Sequence, residues 1–422
     1  MRNQKLLGNS IDWVTIIIYF ALVLFGWFNI FAAVYDEQAN QSIFDFSLNS
    51  GKQLRWIFIV VGLIIIIMVI DFKFYTTFSY VIYGFMILLL IFVLLFARDI
   101  AGSRSWLELG PIRIQPAEFT KFAVALALAK YLQDTNAKAN LIKTQLTVAA
   151  IVGVPMLLIM VGDKGISLVF TSFIIVMYRE GMSPFIIVLG IMAVFLFILT
   201  LFVEETYHLI IALVVLAMII IALGQKTVKR ISLIVAGLAA VILVVSSVDY
   251  LISDVLQPHQ QNRIKALIDP EADPLGYGWN VTQSKIAIGS GGFNGKGFLQ
   301  GTQTKFNFVP EQSTDFIFCT IGEEHGWLGS MCVIALFIAL LYRIVFIAER
   351  QKSRFTRVYA YSVISIIFFH FIVNIGMTIG LVPVIGIPLP FFSYGGSSLW
   401  SFTILLFILI KLDSHRMQVL VR

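Results

Sequence analysis

Long apolar runs dominate the chain, and short polar turns separate them. A helix that crosses a bilayer needs roughly 17–25 consecutive, predominantly apolar residues. The pattern therefore predicts an all-α polytopic membrane protein with about twelve transmembrane helices. Their predicted bounds are Trp13–Val34, Trp56–Ile70, Tyr75–Phe96, Pro116–Leu132, Leu146–Val161, Ile166–Tyr178, Pro184–Phe202, Leu209–Leu223, Ile231–Leu251, Phe316–Phe346, Val358–Leu381 and Leu399–Leu412.

The tenth run, Phe316–Phe346, is too long for one plain span. The dipeptide His325-Gly326 interrupts it, and Glu323 and Glu324 precede the interruption. The pattern predicts that the first part of this run is a separate turn or half-helix.

One polar segment, residues 252–315, interrupts the apolar pattern before the tenth run. Glycines are concentrated between Gly276 and Gly301, but aromatic and aliphatic residues remain too frequent for a flexible linker. We expect an ordered loop with short elements of its own. The chain thus divides into N-terminal membrane helices in 1–251, the large loop 252–315 and C-terminal membrane helices in 316–422.

Composition supports the membrane class. Of the 422 residues, 59% are hydrophobic and 13% are charged, which is too little polar surface for a soluble domain of this size. The formal net charge of +6 does not indicate nucleic-acid binding. The basic residues lie in short loops beside apolar runs, where such residues determine the orientation of the helices in the membrane. Cys319 and Cys332 fall in one apolar run, which excludes a disulfide framework and a Cys-based metal site.

Lys and Arg residues predict the orientation, because cytoplasmic loops carry more of them than loops on the other side. With the N-terminus inside, most of the 30 basic residues fall on the cytoplasmic side, and the segment Glu349–Arg357 reads ERQKSRFTR. We therefore expect both termini in the cytoplasm and the loop 252–315 on the outer face.

Two charged residues fall within the fourth predicted helix. An ionisable side chain at membrane depth costs a few kcal/mol or more, so it needs a partner or a function. Glu118 and Lys121 lie three residues apart on one helical face, where they are able to pair. From spacing alone, a structural ion pair that fixes helix packing is the favoured interpretation.

Upstream of that helix, Arg98, Arg104 and Arg113 reach the predicted outer surface, with Trp106 as an interfacial anchor. Arg on the outer face runs against the positive-inside tendency, which favours an anionic ligand there. A diphosphate would suit, because guanidinium groups form bidentate hydrogen bonds with phosphate oxygens. Contact with anionic lipid headgroups is the open alternative.

Two irregular segments are predicted near the outer face. The break between the fifth and sixth helices holds Asp163 and Lys164, which would either line a cavity or form a solvated turn. The segment Gly380–Trp400 holds three prolines that prevent a regular helix, and a turn rich in Ser and Gly follows, including Ser393 and Ser397. This segment would be either a re-entrant element that lines a polar cavity or a rigid connector.

Three stretches of sequence carry a resemblance to a known family. They are SRSWLELGPIRIQPAEFTK in 103–121, DPEADPLGYGWNVTQSKIAIGSGGFNGKGFLQGTQ followed by PEQSTDFIF in 269–318, and NIGMTIGLVPVIGIPLPFFSYGGSS in 374–398. The sequence resembles the SEDS (shape, elongation, division, sporulation) family over most of its length, and SKIAIGSGG with the following GKG and GTQ is similar to the elongation branch.

The chain departs from that family in two places. The stretch Val161–Ser167 reads VGDKGIS where the family usually has a QPDLGT-like sequence, so the resemblance supports a role for Asp163 less strongly. The family usually has ten transmembrane helices, and the two additional predicted helices lie between Met182 and Leu251.

The resemblance implies a peptidoglycan glycosyltransferase that polymerises the lipid-linked precursor lipid II during cell elongation, on the outer face of a bacterial cytoplasmic membrane. It places the catalytic carboxylate on Asp315, as the general base of an inverting reaction without a covalent glycosyl-enzyme. It implies substrate-binding roles for Arg104, Glu118, Lys121, Asp163, Lys285, Ser393 and Ser397. It also implies a class B penicillin-binding transpeptidase as partner. A divalent cation, Mg²⁺ or Mn²⁺, on the diphosphate is left open, because no ligand cluster argues for one.

Three alternatives remain open on the sequence. Asp315 precedes the tenth predicted helix, a position at which Asp commonly acts as an N-cap. A lipid II flippase would depend more on the membrane-depth charges Glu118, Lys121 and Asp163 than on Asp315. A non-catalytic scaffold that recruits a cell-wall synthase would tolerate polar substitutions in the outer loop.

Overall fold

The computed structural model describes residues 11–36, 41–97, 105–110, 112–135, 138–203, 206–224, 227–250, 261, 278–305 and 308–417. Each of the twelve predicted runs is mainly helical within its described residues, which confirms the all-α membrane class. The helices are α1 (Trp13–Val34), α2 (Asn49–Val69), α3 (Phe72–Thr77), α4 (Ser79–Phe96), α5 (Pro116–Asp134), α6 (Ile142–Gly162), α7 (Lys164–Val169), α8 (Phe173–Arg179), α9 (Pro184–Phe202), α10 (Thr206–Leu223), α11 (Val228–Tyr250), α12 (Trp279–Ser290), α13 (Ile317–Glu349), α14 (Arg354–Thr378) and α15 (Gly396–Ser414).

Nine helices within the described ranges are long and apolar enough to cross a membrane, judged by length and composition alone. They are α1, α2, α4, α6, α10, α11, α13, α14 and α15. Helix α5 differs from them because charged side chains interrupt its apolar sequence and neighbouring helices bury most of its surface. Its length and position nevertheless match the predicted fourth helix.

Two predicted helices are broken at positions for which the sequence offers no indication of a break. The run Tyr75–Phe96 begins earlier than predicted and consists of α3 and α4, which meet at Phe78. The run Ile166–Tyr178 consists of α7, a turn of 3-10 helix at Phe170–Ser172, and α8. Hydropathy misses these breaks because the apolar composition continues across them.

Helix α2 begins at Asn49, seven residues before the predicted Trp56. Its first turns are polar, and Gln53 is buried within the protein. Hydropathy misses these turns because some of their polar side chains face protein instead of lipid. The earlier start places Lys52 and Arg55 on a helix, one turn apart, instead of in a loop.

Helix α5 lies among α4, α6, α14 and α15 and contacts all four. Its buried residues include small side chains such as Ala123, Ala125 and Ala127, which allow neighbouring helices to approach closely. Because protein surrounds it, α5 is able to carry Glu118 and Lys121 away from lipid.

Helix α13 is two helices joined at Gly326, whose φ of 62° and ψ of −154° are not helical. The predicted half-helix before His325-Gly326 is therefore confirmed. The glycine-rich segment after α12 satisfies backbone groups at the kink: the amides of Lys296 and Gly297 donate to the carbonyls of Glu323 and Glu324, both at 3.0 Å. Irregular backbone at membrane depth needs such partners, because lipid offers none.

A β-hairpin that the sequence analysis did not predict precedes α5. Strands β1 (Leu107–Leu109) and β2 (Ile112–Ile114) pair antiparallel, with Glu108 opposite Arg113. Gly110 allows the tight turn because its φ is +64°. The alternation of apolar and polar residues in LELGPIRI was the available indication.

The chain divides into two packing units. The first contains Met1–Met182 and Asn280–Arg422, and the second contains Ser183–Trp279. In the second unit α11 contacts both α9 and α10. The additional helices expected between Met182 and Leu251 belong to this second unit. Of the predicted loop 252–315, residues 261, 278–305 and 308–315 are described, and they include α12 as an ordered element.

Candidate active site

A cavity of about 890 Å³ opens within the first packing unit. Its walls come from the start of α2, the β-hairpin, the start of α5, the α6–α7 break, the segment before α13 and the proline-rich segment before α15. The lining residues are Lys52, Arg55, Trp56, Trp106, Glu108, Gly110, Arg113, Gln115, Glu118, Asp163, Ile166, Thr314, Asp315, Gly386, Pro388, Tyr394, Gly395, Gly396, Ser397 and Ser398. Four carboxylates and three cations therefore share one cavity.

Asp315 lines this cavity and is half-buried. It is not the N-cap residue of α13, because that position is Phe316, which makes no side-chain capping hydrogen bond. The capping alternative is therefore wrong. The side chain of Asp315 approaches Gly386, where a Cβ atom would lie 3.3 Å from the Asp315 Oδ2 atom. The absence of a side chain at Gly386 leaves room for this carboxylate.

The proline-rich segment is not helical between Gly380 and Gly395, and it forms one wall of the cavity. This outcome favours the cavity-lining element over the plain connector. Ser393 holds the segment to the chain before Asp315: its hydroxyl donates to the carbonyl of Thr314 (2.6 Å) and accepts from the amide of Leu389 (2.9 Å). Ser393 is buried and lies behind the cavity wall.

Glu118 and Lys121 form the predicted ion pair, with 2.7 Å between Lys121 Nζ and Glu118 Oε2. Glu118 also accepts a hydrogen bond from the Ser401 hydroxyl (3.0 Å) and lines the cavity. The structure does not place Lys121 in the cavity. Its ammonium group is occupied on three sides, by Glu118, by the Nε2 atom of His370 (3.1 Å) and by the ring of Phe402 (4.0 Å).

Asp163 lines the cavity from the α6–α7 break, so the cavity alternative is favoured over the solvated turn. It caps α7 by accepting from the amide of Ile166 (2.9 Å), and it accepts from the Gln115 side chain (2.8 Å). Burial raises the pKa of Asp163, and these hydrogen bonds only partly oppose that shift.

Ser397 connects the last helix to the hairpin. Its hydroxyl accepts from the amide of Gln115 and donates to the carbonyl of Arg113, both at 3.2 Å. The neighbouring Gly396 is closely packed, since a Cβ atom there would lie 2.8 Å from the ring of Trp56. These contacts join three walls of the cavity.

Lys52 and Arg55 line the cavity and were missed by the sequence analysis. Within the described part of the chain neither forms an ion pair, whereas Arg113 pairs with Glu108 across the hairpin (3.2 Å). The one-turn spacing of Lys52 and Arg55 indicated in the sequence that they share a helical face, but the second helix was predicted to begin only at Trp56. Cations without an acidic partner at a cavity wall are suited to bind an anion.

The predicted site residues therefore fall into four groups. Asp315, Glu118, Asp163 and Ser397 line the cavity. Lys121 and Ser393 lie behind its wall, and Lys285 is exposed on α12 near Gly380, outside the lining. Arg104 and Arg98 lie outside the described residues. Trp106, expected at the lipid interface, lines the cavity instead.

Among the described residues no three His, Cys, Asp or Glu side chains are grouped closely enough to hold a metal ion. The carboxylates of the cavity are spread over different walls, and several of them already accept protein hydrogen bonds. The donor set within the described ranges therefore does not fit a resident divalent cation.

Sequence comparison finds that the profile of the FtsW, RodA and SpoVE family, described as cell cycle proteins, matches residues 12–212 and 179–418. The peptidoglycan glycosyltransferase MrdB of Escherichia coli K12 is 33% identical over 361 residues, covering 85% of this chain and 84% of that protein. The peptidoglycan glycosyltransferase RodA of Treponema pallidum is 32% identical over 415 residues, covering 91% of this chain and 94% of that protein.

Solved structures share the fold. A chain from a peptidoglycan synthase complex, studied for the coordination of polymerization and crosslinking, has a TM-score of 0.69 and 23% identity, with 97% of this chain and 99% of that chain covered. The rod shape determining protein RodA of Thermus thermophilus has a TM-score of 0.61 and 21% identity, with 96% and 98% covered. At these identities the structural matches speak for the fold alone.

Proposed function

The chain belongs to the FtsW, RodA and SpoVE family of cell cycle proteins, and we propose that it is a peptidoglycan glycosyltransferase that polymerises lipid II during cell elongation. The observation that carries this proposal is the position of Asp315, whose carboxylate faces a polar cavity that also contains cations. A base and an anion-binding surface in one cavity are what transfer of a sugar from a diphosphate requires.

Asp315 acts as the general base in this mechanism. Its carboxylate takes the proton from the acceptor sugar's hydroxyl while that oxygen bonds to the anomeric carbon of the donor chain. The bond between the anomeric carbon and the diphosphate breaks, and the diphosphate lipid leaves with the electron pair. A single displacement of an α-linked diphosphate gives a β linkage, so the reaction inverts the configuration and needs no covalent glycosyl-enzyme.

Lys52 and Arg55 stabilise the departing diphosphate, with Arg113 as a further cation. This assignment replaces the expected role of Lys121, whose ammonium group is held behind the wall by Glu118 and His370. Arg104 keeps its expected phosphate-binding role as a proposal. A divalent cation, Mg²⁺ or Mn²⁺, would enter with the diphosphate, and a rate titration with a chelator followed by addition of Mg²⁺ tests this.

The protein lies in a bacterial cytoplasmic membrane with both termini in the cytoplasm and the cavity open to the outer face. The distribution of Lys and Arg supports this orientation. Its partner is a class B penicillin-binding transpeptidase, which cross-links the glycan. The similarity in fold to a chain of a peptidoglycan synthase complex supports such a partner.

The test is glycan polymerisation from purified lipid II by the detergent-solubilised protein and by Asp315→Asn, each with and without the cognate transpeptidase carrying a disabled active site. We expect glycan from the wild type and none from Asp315→Asn, because an amide has a similar size but cannot accept the proton. Equal product from both proteins would move the base elsewhere. No product under any condition, with lipid II movement across vesicles intact, would favour a flippase.

A further inference from the structure

Two buried polar side chains on α14 have no role in the mechanism above. His370 and Asn374 lie four residues apart, so they occupy one face of the helix, and both are fully buried. This face is directed at the proline-rich wall of the cavity, since both side chains hydrogen-bond to main-chain carbonyls of that wall.

Asn374 holds two chain segments with one amide group. Its Nδ2 atom donates to the carbonyl of Asp315 (2.9 Å) and to the carbonyl of Ile387 (2.8 Å). The segment before α13 and the proline-rich segment are thereby fixed to one helix at the residue that bears the proposed base.

His370 holds the next carbonyl along the wall. Its Nδ1 atom lies 3.0 Å from the carbonyl oxygen of Pro388. A carbonyl only accepts, so Nδ1 carries the ring proton, and Nε2 accepts from the Lys121 ammonium group at 3.1 Å. His370 therefore connects the cavity wall to the Glu118–Lys121 pair.

We propose that Asn374 and His370 are positioning residues of the transferase, which fix the main chain at Asp315 and at residues 387–388 so that the carboxylate faces the reacting hydroxyl. This inference rests on the proposed function. The two residues do not touch substrate; they act through the backbone of Asp315, Ile387 and Pro388.

The unpartnered acceptor of Asn374 supports this role. Its Oδ1 atom is buried and has no hydrogen-bond partner among the described residues. A buried polar atom without a partner costs about 1–3 kcal/mol, and Asn374 carries this cost while its Nδ2 atom donates to both carbonyls. Turning the amide round would place the oxygen against two carbonyls, so the observed orientation is the one that binds them.

The geometry near the base explains why the backbone must be held. Gly386 adopts a φ of +78°, and the Asp315 carboxylate lies beside it, within reach of a Cβ atom placed there. Helix α14 supplies the donors that satisfy the neighbouring carbonyls, which a lipid environment could not do. A displacement of about 1 Å in a catalytic group can cost about 100-fold in rate.

The experiment compares Asn374→Leu with Asn29→Leu as a matched control. Asn29 is also a fully buried asparagine in a membrane helix; its Nδ2 atom donates to the carbonyl of Phe25 in the same helix (2.8 Å), and its Oδ1 atom also has no partner in the described chain. We expect Asn374→Leu to lower kcat for lipid II polymerisation about 10- to 100-fold, with KM within about twofold. Asn29→Leu should change neither constant more than about twofold.

His370 is tested by two replacements that each keep one of its contacts. In His370→Asn the amide nitrogen takes the place of Nδ1 and is able to donate to Pro388, whereas in His370→Gln the amide oxygen takes the place of Nε2 and is able to accept from Lys121. We expect His370→Asn to retain more kcat than His370→Gln. The reverse order would overturn the role of the Pro388 contact.

Amide hydrogen exchange provides a measurement that does not depend on activity. Exchange in residues 311–317 and 384–392 should rise in Asn374→Leu and stay unchanged in Asn29→Leu. Unchanged exchange in Asn374→Leu, or equal loss of kcat and thermal stability in both variants, would overturn the inference. If the wild type makes no glycan, the proposed function fails, and the exchange data alone decide whether Asn374 fixes these segments.

Discussion

The carboxylate of Glu323, in the first part of α13, holds the glycine-rich loop that follows α12. It is fully buried and accepts hydrogen bonds from the amides of Thr302 (2.8 Å), Gln303 (2.9 Å) and Thr304 (3.0 Å). The ammonium group of Lys296 lies 2.7 Å from it. We predict that Glu323→Gln opens this loop. The glutamine amide has the same size as the carboxylate, but its NH₂ group is a donor and cannot accept hydrogen bonds from the backbone amides of the loop.

The free-energy cost of Glu323→Gln can be estimated from the contacts of the carboxylate that are lost. Individual hydrogen bonds to charged groups contribute about 1.5–3 kcal/mol, but they are not additive at one carboxylate. Breaking a buried ion pair by removing one charge costs about 3–5 kcal/mol. Taking about 4 kcal/mol, and about 1.4 kcal/mol for each tenfold change in an equilibrium constant, the open form of the loop becomes about 1,000-fold more populated.

Hydrogen exchange of residues 294–305, supported by limited proteolysis, measures this population when opening is fast and reversible. Two variants serve as controls. Glu324→Gln disturbs a second buried carboxylate, which accepts from the amide of Leu299 (3.1 Å), and should give a smaller increase. Asp134→Asn removes a partly exposed ion pair with Lys130 and should leave the loop unchanged. An increase below about threefold in Glu323→Gln would refute the reasoning.

Three further outcomes are expected. Lys121→Met leaves Glu118 buried without its partner and should lower the free energy of unfolding by about 3–5 kcal/mol. Adding Glu118→Leu should restore most of that free energy in a double-mutant cycle. Equal losses in the single and double variants would contradict the proposed pairing of Glu118 with Lys121. Arg55→Ala should raise KM for lipid II several-fold and weaken its salt dependence, and an unchanged KM would argue against a phosphate contact. Because burial raises the pKa of Asp163, folding favours its protonated form, so the stability of the wild type should fall as pH rises above the ordinary carboxyl range. In Asp163→Asn the melting temperature should depend less on pH than in the wild type. Parallel curves for the two proteins would show that Asp163 does not contribute to the pH dependence of stability.

The observed ends of the helices show where hydropathy predicts a helix boundary correctly and where it does not. Lipid leaves backbone groups no partner but the helix itself, so an apolar run of spanning length has few other structures available. The runs Trp13–Val34 and Pro184–Phe202 were therefore predicted to the residue. Where the surroundings are protein, as at the start of α2, the same criterion placed the boundary seven residues late.

The candidate site shows a similar division. The sequence singled out Glu118 and Asp163 as charges in or beside apolar runs and Ser397 in a turn that follows three prolines, whereas the family resemblance alone pointed to Asp315. It treated Glu118 and Lys121 alike, since they share a helical face. Packing separates them: Glu118 lines the cavity, and Lys121 is directed to His370 behind it.

By itself the sequence determined the membrane class, the order of the helices, the family resemblance and the residue expected to act as base. Only the tertiary structure decided that Lys52 and Arg55 line the same cavity as Asp315, that Asp315 is not the N-cap residue of α13, and that Asn374 holds its backbone. The physical reason is the distance along the chain over which each kind of information acts. Apolar run length and side-chain spacing act within a few turns of chain, whereas a cavity joins residues that are hundreds of positions apart and depends on how the helices pack.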